Sequence, residues 1–297
     1  MRSLVAAAAS IALATAATLI APLAAQEHDV HEKHADTDEH VRDTAAFNKH
    51  HGQEVTAALA KSNRDADRAR DQHRHPAETL AFFHVGPHMK VGEYAPGGGW
   101  YSRVLGNYLN ANGKLVGLYF TPDAGPFDEK AQAGIRAGAQ GFPAKVAEWT
   151  GRPAAQTAGL TLDSVSDADK GTFDRILVIR MLHNMMRWNM ADAELKTMRD
   201  LLKPGGMLGI VQHRAKADAS ADYVNGTKGY LREEDVIGFV EAMGFELVAR
   251  SEVNANPRDP ANHAEGVWEM KPSWSTKRAE LENLGESDRM TLLFRKR

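Results

Sequence analysis

The stretch VGEYAPGGGWYSRVL, residues 91–105, decides how the chain is read. A short apolar run from Val91 to Tyr94 meets three consecutive glycines, and beyond them Tyr101, Val104, Leu105 and Tyr108 recur at helical spacing. Strand, glycine turn and helix in that order form a cradle for a nucleotide-like ligand. Glycine lets the backbone approach closely, and the start of the helix offers free N–H groups. The stretch lacks the lysine and the serine or threonine of a P-loop. It also misses the dinucleotide spacing, since Gly97 and Gly99 fit but Ser102 stands where the third small residue belongs.

Toward the C terminus, strand and helix signals keep alternating, which predicts an α/β domain on a mainly parallel sheet. Asn112-Gly113 makes a turn before the buried strand KLVGLYF, and FDRILVIRML, residues 173–182, is a central strand that ends at His183. A helix is expected over ADAELKTMRDLLK, and the Pro-Gly turn of KPGGMLGIVQH precedes a strand ending at His213. REEDVIGFVEAMGFELVARSEV reads as helix, a stop at Gly244, and strand; DRMTLLFRKR closes the chain as a last strand. Between residues 121 and 169 only FDEKAQAGIRAG carries a helical pattern, and the rest reads as loose chain.

Toward the N terminus, PAETLAFFHV is a short helix with proline at its first position. Residues 53–75 alternate in charge as a solvated helical face does. From Gln26 to His51 the chain is polar with no apolar periodicity, so 26–60 reads as a linker and 61–297 as the folded domain. His28, His31, His34, His40, His50 and His51 have the chemistry to take zinc, copper or nickel, but such tracts are more often solvated spacers, and no metal ligand is assigned. Residues 1–25 have a basic start at Arg2, an uncharged alanine-rich run and small residues before Gln26. That is signal-peptide architecture with cleavage expected after Ala25, although Leu23 occupies a position where a small residue is preferred. An uncleaved anchor is the alternative; cleavage predicts a periplasmic or secreted protein with no stable membrane span.

A chain of 297 residues with 43% hydrophobic and 25% charged residues can bury a sizeable core. Its formal net charge of −3 creates no field to gather nucleic acid, so no nucleic-acid partner is expected. Cysteine is absent, which removes disulfides, thiolate metal sites and a cysteine nucleophile.

The ordered signatures resemble the class I S-adenosylmethionine-dependent methyltransferases. Glu93 at the end of the first strand, the loop Ala95, Gly97 and Gly99, and Lys203-Pro204-Gly205-Gly206 before the fifth strand match that family's pattern over roughly residues 76–297. The export signal together with PGGGWYSRVL looks like a branch of exported predicted methyltransferases. The resemblance implies a Rossmann-like, doubly wound, mainly parallel seven-stranded sheet with helices on both faces and an antiparallel last strand. It implies S-adenosylmethionine as cofactor, with the backbone of Ala95, Pro96, Gly97, Gly98 and Gly99 beside its methionine and ribose parts and Glu93 at its cationic amino-acid end. One departure stands out. The family's second strand ends in an acidic residue that grips the ribose hydroxyls, and here that place falls on Tyr119, Phe120 or Thr121. Losing such a charged hydrogen bond costs about 1.5 to 3 kcal/mol. Stacking of Phe120 on adenine is the expected compensation.

In an open parallel sheet, ligands lie beyond the carboxyl ends of the strands. His183 and His213 follow two such ends and suit the removal of a proton from a methyl acceptor near neutral pH. Arg180, Asn184 and, from the long segment between the last two strands, Trp268 are candidates for substrate contact, while Trp274 and His263 are candidates to line the pocket. Methyl transfer to an unidentified, small-molecule acceptor is the leading expectation. The alternative is an exported, non-catalytic ligand-binding protein on the same fold, and a weaker third reading is metal binding through the histidine-rich arm. Oligomeric state is not legible in the sequence.

Overall fold

The computed structural model describes residues 38–297. Seven strands form one sheet: β1 Lys90–Tyr94, β2 Lys114–Tyr119, β3 Thr157–Thr161, β4 Phe173–Ile179, β5 Leu202–His213, β6 Phe245–Ser251 and β7 Arg289–Lys296. Their order is β3-β2-β1-β4-β5-β7-β6, parallel throughout except β7, which runs antiparallel to both β5 and β6. This is the doubly wound architecture expected from the sequence. From β1 the chain winds outward through β2 to β3, then returns to β4 on β1's other side. The order therefore reverses between β1 and β4, and their carboxyl ends open a crevice there.

Among the described residues eight α-helices accompany the sheet: α1 Asp38–Leu59, α2 Asp71–Arg74, α3 Pro76–Phe82, α4 Trp100–Tyr108, α5 Glu129–Thr150, α6 Leu182–Arg187, α7 Ala191–Leu201 and α8 Glu233–Ala242. The apolar residues divide into two large clusters. One gathers Ile176, Leu195, Met198, Leu208 and Phe294 beneath α6, α7 and α8; the other gathers Val91, Val104, Leu105, Leu177 and Leu293 with α3, α4 and α5. Each β4 residue points opposite to its neighbour, so Ile176 and Leu177 enter different clusters and the strand is apolar on both faces.

Three stretches differ from their sequence reading. Residues 38–59, expected as part of a linker, form α1, whose Val55 and Ala58 are buried in the same cluster as Leu80 and Phe82. Few apolar side chains anchor that helix, Val55 and Ala58 buried and Phe47 and Leu59 partly so, which is why no periodicity announces it. Of the histidine-rich tract, His40 lies on α1, buried edge-on against Phe82, while His28, His31 and His34 lie outside the described residues, as does the signal-like segment. Residues 129–150, read as helical only at their start, form a single helix despite Pro143. Asp128 caps it by accepting from the Ala131 N–H, and Phe142 fills the space that Gly117 of β2 leaves free. A side chain at Gly159 would strike the Ala139 carbonyl, so glycine lets β3 lie tightly under α5. The charged segment 53–75 is not wholly a solvated face: Arg64 and Arg74 turn inward and are fully buried, with Arg64 paired to Asp71 at 2.7 Å, while much of the rest is exposed.

Among the described residues no helix is long and apolar enough to cross a membrane, and no three metal-ligating side chains cluster.

Candidate active site

A cavity of about 440 Å³ opens at the crevice between β1 and β4. The glycine loop forms one wall. Ala95 leaves β1 in a left-handed conformation at φ 48°, its N–H donating to the Leu118 carbonyl, and Gly97 follows at φ 56°. A non-glycine residue held there stores backbone strain, which the flanking strand pairing stabilises. Ala95, Pro96, Gly97 and Gly98 all line the cavity, and a side chain built on Gly98 would meet no atom within 4 Å. Gly99 does not reach the cavity. It is left-handed at φ 74° with Trp149 packed against its Cα, so its role is to turn the loop into α4.

Glu93 sits on the cavity floor, almost fully buried, and accepts a 2.6 Å hydrogen bond from Ser102 Oγ. Burial pushes its carboxyl up to about 8, against the smaller opposing effects of the Ser102 hydrogen bond and the Arg103 charge. Arg103 is itself committed to Asp67 by a two-pronged ion pair.

The opposite wall comes from the ends of β4 and β5. Arg180 follows β4 at φ 58°, another strained position, with its N–H donating to Val211. His183 and Asn184 follow on α6, and His213 ends β5; all line the cavity. The state of His183 can be worked out from its neighbours. Gln212 donates its side-chain N–H groups to the Gly229 and His213 carbonyls, which leaves Gln212 Oε1 as an acceptor, 3.3 Å from His183 Nδ1. The proton on His183 is thereby placed on Nδ1, and Nε2 keeps the lone pair. Burial is the main reason that His183 is driven down to about 4, with Arg187 and Arg180 adding to it. His213, fully enclosed, is pushed well below the usual imidazole range by burial and then by His183 and three arginines; its Nδ1 lies 2.5 Å from Ser287 Oγ. Both imidazoles are neutral at pH 7. Asn184 Oδ1 is buried with no hydrogen-bond partner, an acceptor left over for a ligand.

The segment between β6 and β7 roofs the cavity with Trp268, Lys271, Glu286 and Ser287. Trp268 stands edge-on to His183 at 6.1 Å between ring centroids. Trp274 lies away from the cavity between Lys271 and Lys277, and His263 is buried with Nε2 hydrogen-bonded to Asp259 Oδ1 at 3.0 Å. Phe120 also lies outside the cavity. It packs edge-on against Tyr94 and Trp188 and beside Phe127, so the expected stacking surface is covered by other aromatic rings. At the end of β2, where no local carboxylate follows, Glu194 reaches across from α7 and accepts the Thr121 N–H at 2.8 Å.

Sequence reasoning missed Arg70, Arg74, Glu286 and Ser287 as cavity residues. Arg70 and Arg74 are four apart, one helical turn, but nothing in an alternating run of charge marks which arginines turn inward.

No protein-family model matches the chain. No curated protein matches its sequence. Among solved structures it is similar to a SAM dependent methyltransferase from Aquifex aeolicus (14% identity, 86% of this chain and 99% of that one, TM-score 0.48). It is similar also to the [4+2]-cyclase SpnF (13% identity, 86% and 96%, TM-score 0.48). A third is a 1,6-didemethyltoxoflavin-N1-methyltransferase from Burkholderia thailandensis, solved with 1,6-didemethyltoxoflavin and S-adenosylhomocysteine (14% identity, 88% and 90%, TM-score 0.43). These are likenesses of fold, and the strand order itself stands on the hydrogen-bonded pairs of this chain.

Proposed function

We propose that the protein is an S-adenosylmethionine-dependent methyltransferase acting on a small-molecule acceptor. The observation that carries this reading is the cavity at the β1–β4 reversal, with the glycine loop on one wall and two neutral histidines on the other. Its volume lies within the range of small-ligand sites. The residues fit the amino-acid end of the cofactor: Gly97 and Gly98 leave room along the loop, the Asn184 Oδ1 acceptor is unpartnered, and Glu93 offers a carboxyl. When bound, S-adenosylmethionine supplies a methyl group on a sulfonium. Ala95, Pro96, Gly97 and Gly98 would hold it through backbone, and Asn184 would accept from its ammonium. His183 Nε2 would take a proton from the acceptor, a reading supported by the Gln212 contact that leaves the lone pair on Nε2, with burial making this imidazole a weaker base than the sequence implies. Ser287 bonds His213 and so fixes the second imidazole beside it. Trp268 shields the histidines from water.

Calorimetry with S-adenosylmethionine tests the reading. Saturable binding is expected, and Gly98→Val, which adds bulk to a cavity-lining position whose Cβ meets no other atom within 4 Å, should weaken it by at least about tenfold. A wild-type protein that shows no saturable heat at millimolar ligand sinks the proposal. The packed rings over Phe120 and the missing β2 carboxylate would then favour a non-catalytic binding protein for a different ligand. From residues 1–25 we further propose export to the periplasm or beyond; cell fractionation that finds the protein wholly in the cytoplasm refutes it.

A further inference from the structure

Where the end of β4, α2 and the segment before β7 meet, three guanidinium groups contact one carboxylate and a fourth, that of Arg180, stands unpaired. Glu286 accepts from Arg70 Nε at 2.7 Å and from Arg74 Nε at 3.3 Å, and Arg289 Nη1 stands 3.3 Å from it. Arg180 has neither an ion pair nor a side-chain hydrogen bond, yet its Nε is shut off from solvent. Arg70 Nη2 and Arg74 Nη2 are likewise buried without a partner. Arg70, Arg74 and Arg180 all line the cavity, and Arg74 is only 2% exposed. Three buried N–H groups on three converging arginines are thus unsatisfied around a space open to ligand. Leaving such groups unpaired is costly, and removing cations from water without counterions costs more.

The charge around the cavity points the same way. Arg70, Arg74, Arg103, Arg180 and Lys271 line it, against Asp67, Glu286 and a Glu93 whose carboxyl burial keeps largely protonated at pH 7. The cofactor does not correct this excess. S-adenosylmethionine has one carboxylate, but an ammonium one carbon away and a sulfonium make the whole molecule a cation, which four guanidiniums repel. A compact oxyanion with several acceptor oxygens suits the forked donors of arginine.

We propose that Arg70, Arg74 and Arg180 form a binding subsite for an oxyanion group, phosphate or carboxylate, carried by the acceptor, so that the substrate is an acidic small molecule. Assignment of the group to the acceptor rests on the methyltransferase reading; the subsite itself does not. Arg180, strained at φ 58°, lines the cavity three residues before His183. The acceptor's anionic end is thereby seated on one side of the cavity and its nucleophilic atom is aimed at the histidine wall.

Calorimetry of the full chain with inorganic phosphate, in chloride buffer, tests the subsite, with thermal unfolding as a second readout. Phosphate is expected to bind saturably and to raise the melting temperature. Arg180→Met, which removes a cation without breaking an ion pair, should fold normally and weaken phosphate binding by about tenfold or more. Absence of saturable binding, or equal binding by Arg180→Met, overturns the subsite. S-adenosylhomocysteine separates the two claims. Phosphate that binds without displacing it supports the acceptor assignment, and phosphate that competes with it overturns that assignment. Phosphate binding that depends on Arg180 in a protein that never binds S-adenosylhomocysteine sustains the subsite while refuting methyl transfer.

Discussion

At the scale of single residues, burial dominates the chemistry of the cavity, and Glu93 shows it most directly. Its carboxyl lies at about 8 when folded and near the ordinary carboxylate value when unfolded, because burial penalises the charged form more than Ser102 and Arg103 favour it. Between those values the folded state binds the extra proton, so rising pH favours unfolding. Stability should fall by up to about 1.4 kcal/mol per pH unit from about 4.5 to 8 and then level off. Glu93→Gln keeps the shape and an acceptor for Ser102 Oγ but cannot ionise. Urea unfolding across that pH range is expected to give a shallower dependence for the variant, with Glu93→Gln more stable than wild type above pH 8; parallel curves for the two proteins would show that Glu93 ionises freely. The position of Glu93 was legible because it ends a strand before a glycine turn, as were His183, Arg180 and His213 at their strand ends. Its protonation was not legible, because enclosure is a property of the whole wall.

At the scale of elements, the segment between β6 and β7 depends on one buried carboxylate. Asp259 Oδ1 accepts from the Ala261 N–H and from His263, and its Oδ2 accepts from the Tyr230 hydroxyl and the Asp288 N–H. Together these bonds tie both ends of the roof to the chain that follows β5, next to Glu286 and Ser287. Asp259→Ala leaves four donors without their acceptor in a site that water does not reach, at about 1–3 kcal/mol for each that stays unpaired. Hydrogen exchange should quicken over residues 255–288 while β1, β4 and β5 keep their protection; unchanged exchange in that segment would mean that other contacts hold the roof. The length of the segment and its tryptophans announced a covering element, and Trp268 does line the cavity. The spacing contained no sign that His263 would be spent on Asp259, or that Trp274 would lie outside the cavity. β3 was silent in the sequence, and α5 announced itself only at its start. β3 is five residues with Thr at both ends, and α5 contains Gly134, Gly138, Gly141 and Pro143, all weak helix formers. Their formation follows from close packing of α5 on the sheet, a tertiary effect that local propensity does not encode.

At the scale of the whole molecule, the parallel core and its order follow from alternating strand and helix signals, whereas the extent of the folded unit does not. α1 is polar along most of its length, yet it closes the α3–α4 side of the core through Val55 and Ala58. Its end is also bound by polar contacts: Arg64 Nη1 donates to the Leu59 carbonyl and Arg68 Nη2 to the Ala60 and Lys61 carbonyls. Burial of Val55 and Ala58 contributes on the order of 2–3 kcal/mol. Arg64 in turn lies 5.1 Å over Trp100, and Arg74 lies 4.5 Å over the same ring, so the end of α1 supports the arginine wall of the cavity. A chain beginning at Lys61 should therefore be less stable than one beginning at Asp38, with a melting temperature lower by roughly 5–10 °C for a protein of this size. The shorter chain should also bind phosphate more weakly, because Arg64 loses its Leu59 acceptor and the Trp100 stack beside Arg74 loosens. Calorimetric scans of the two chains, with and without phosphate, separate the effects. Equal melting temperatures would show that α1 is an appendage, and a lower melting temperature with unchanged phosphate affinity would show that it stabilises the core without reaching the cavity.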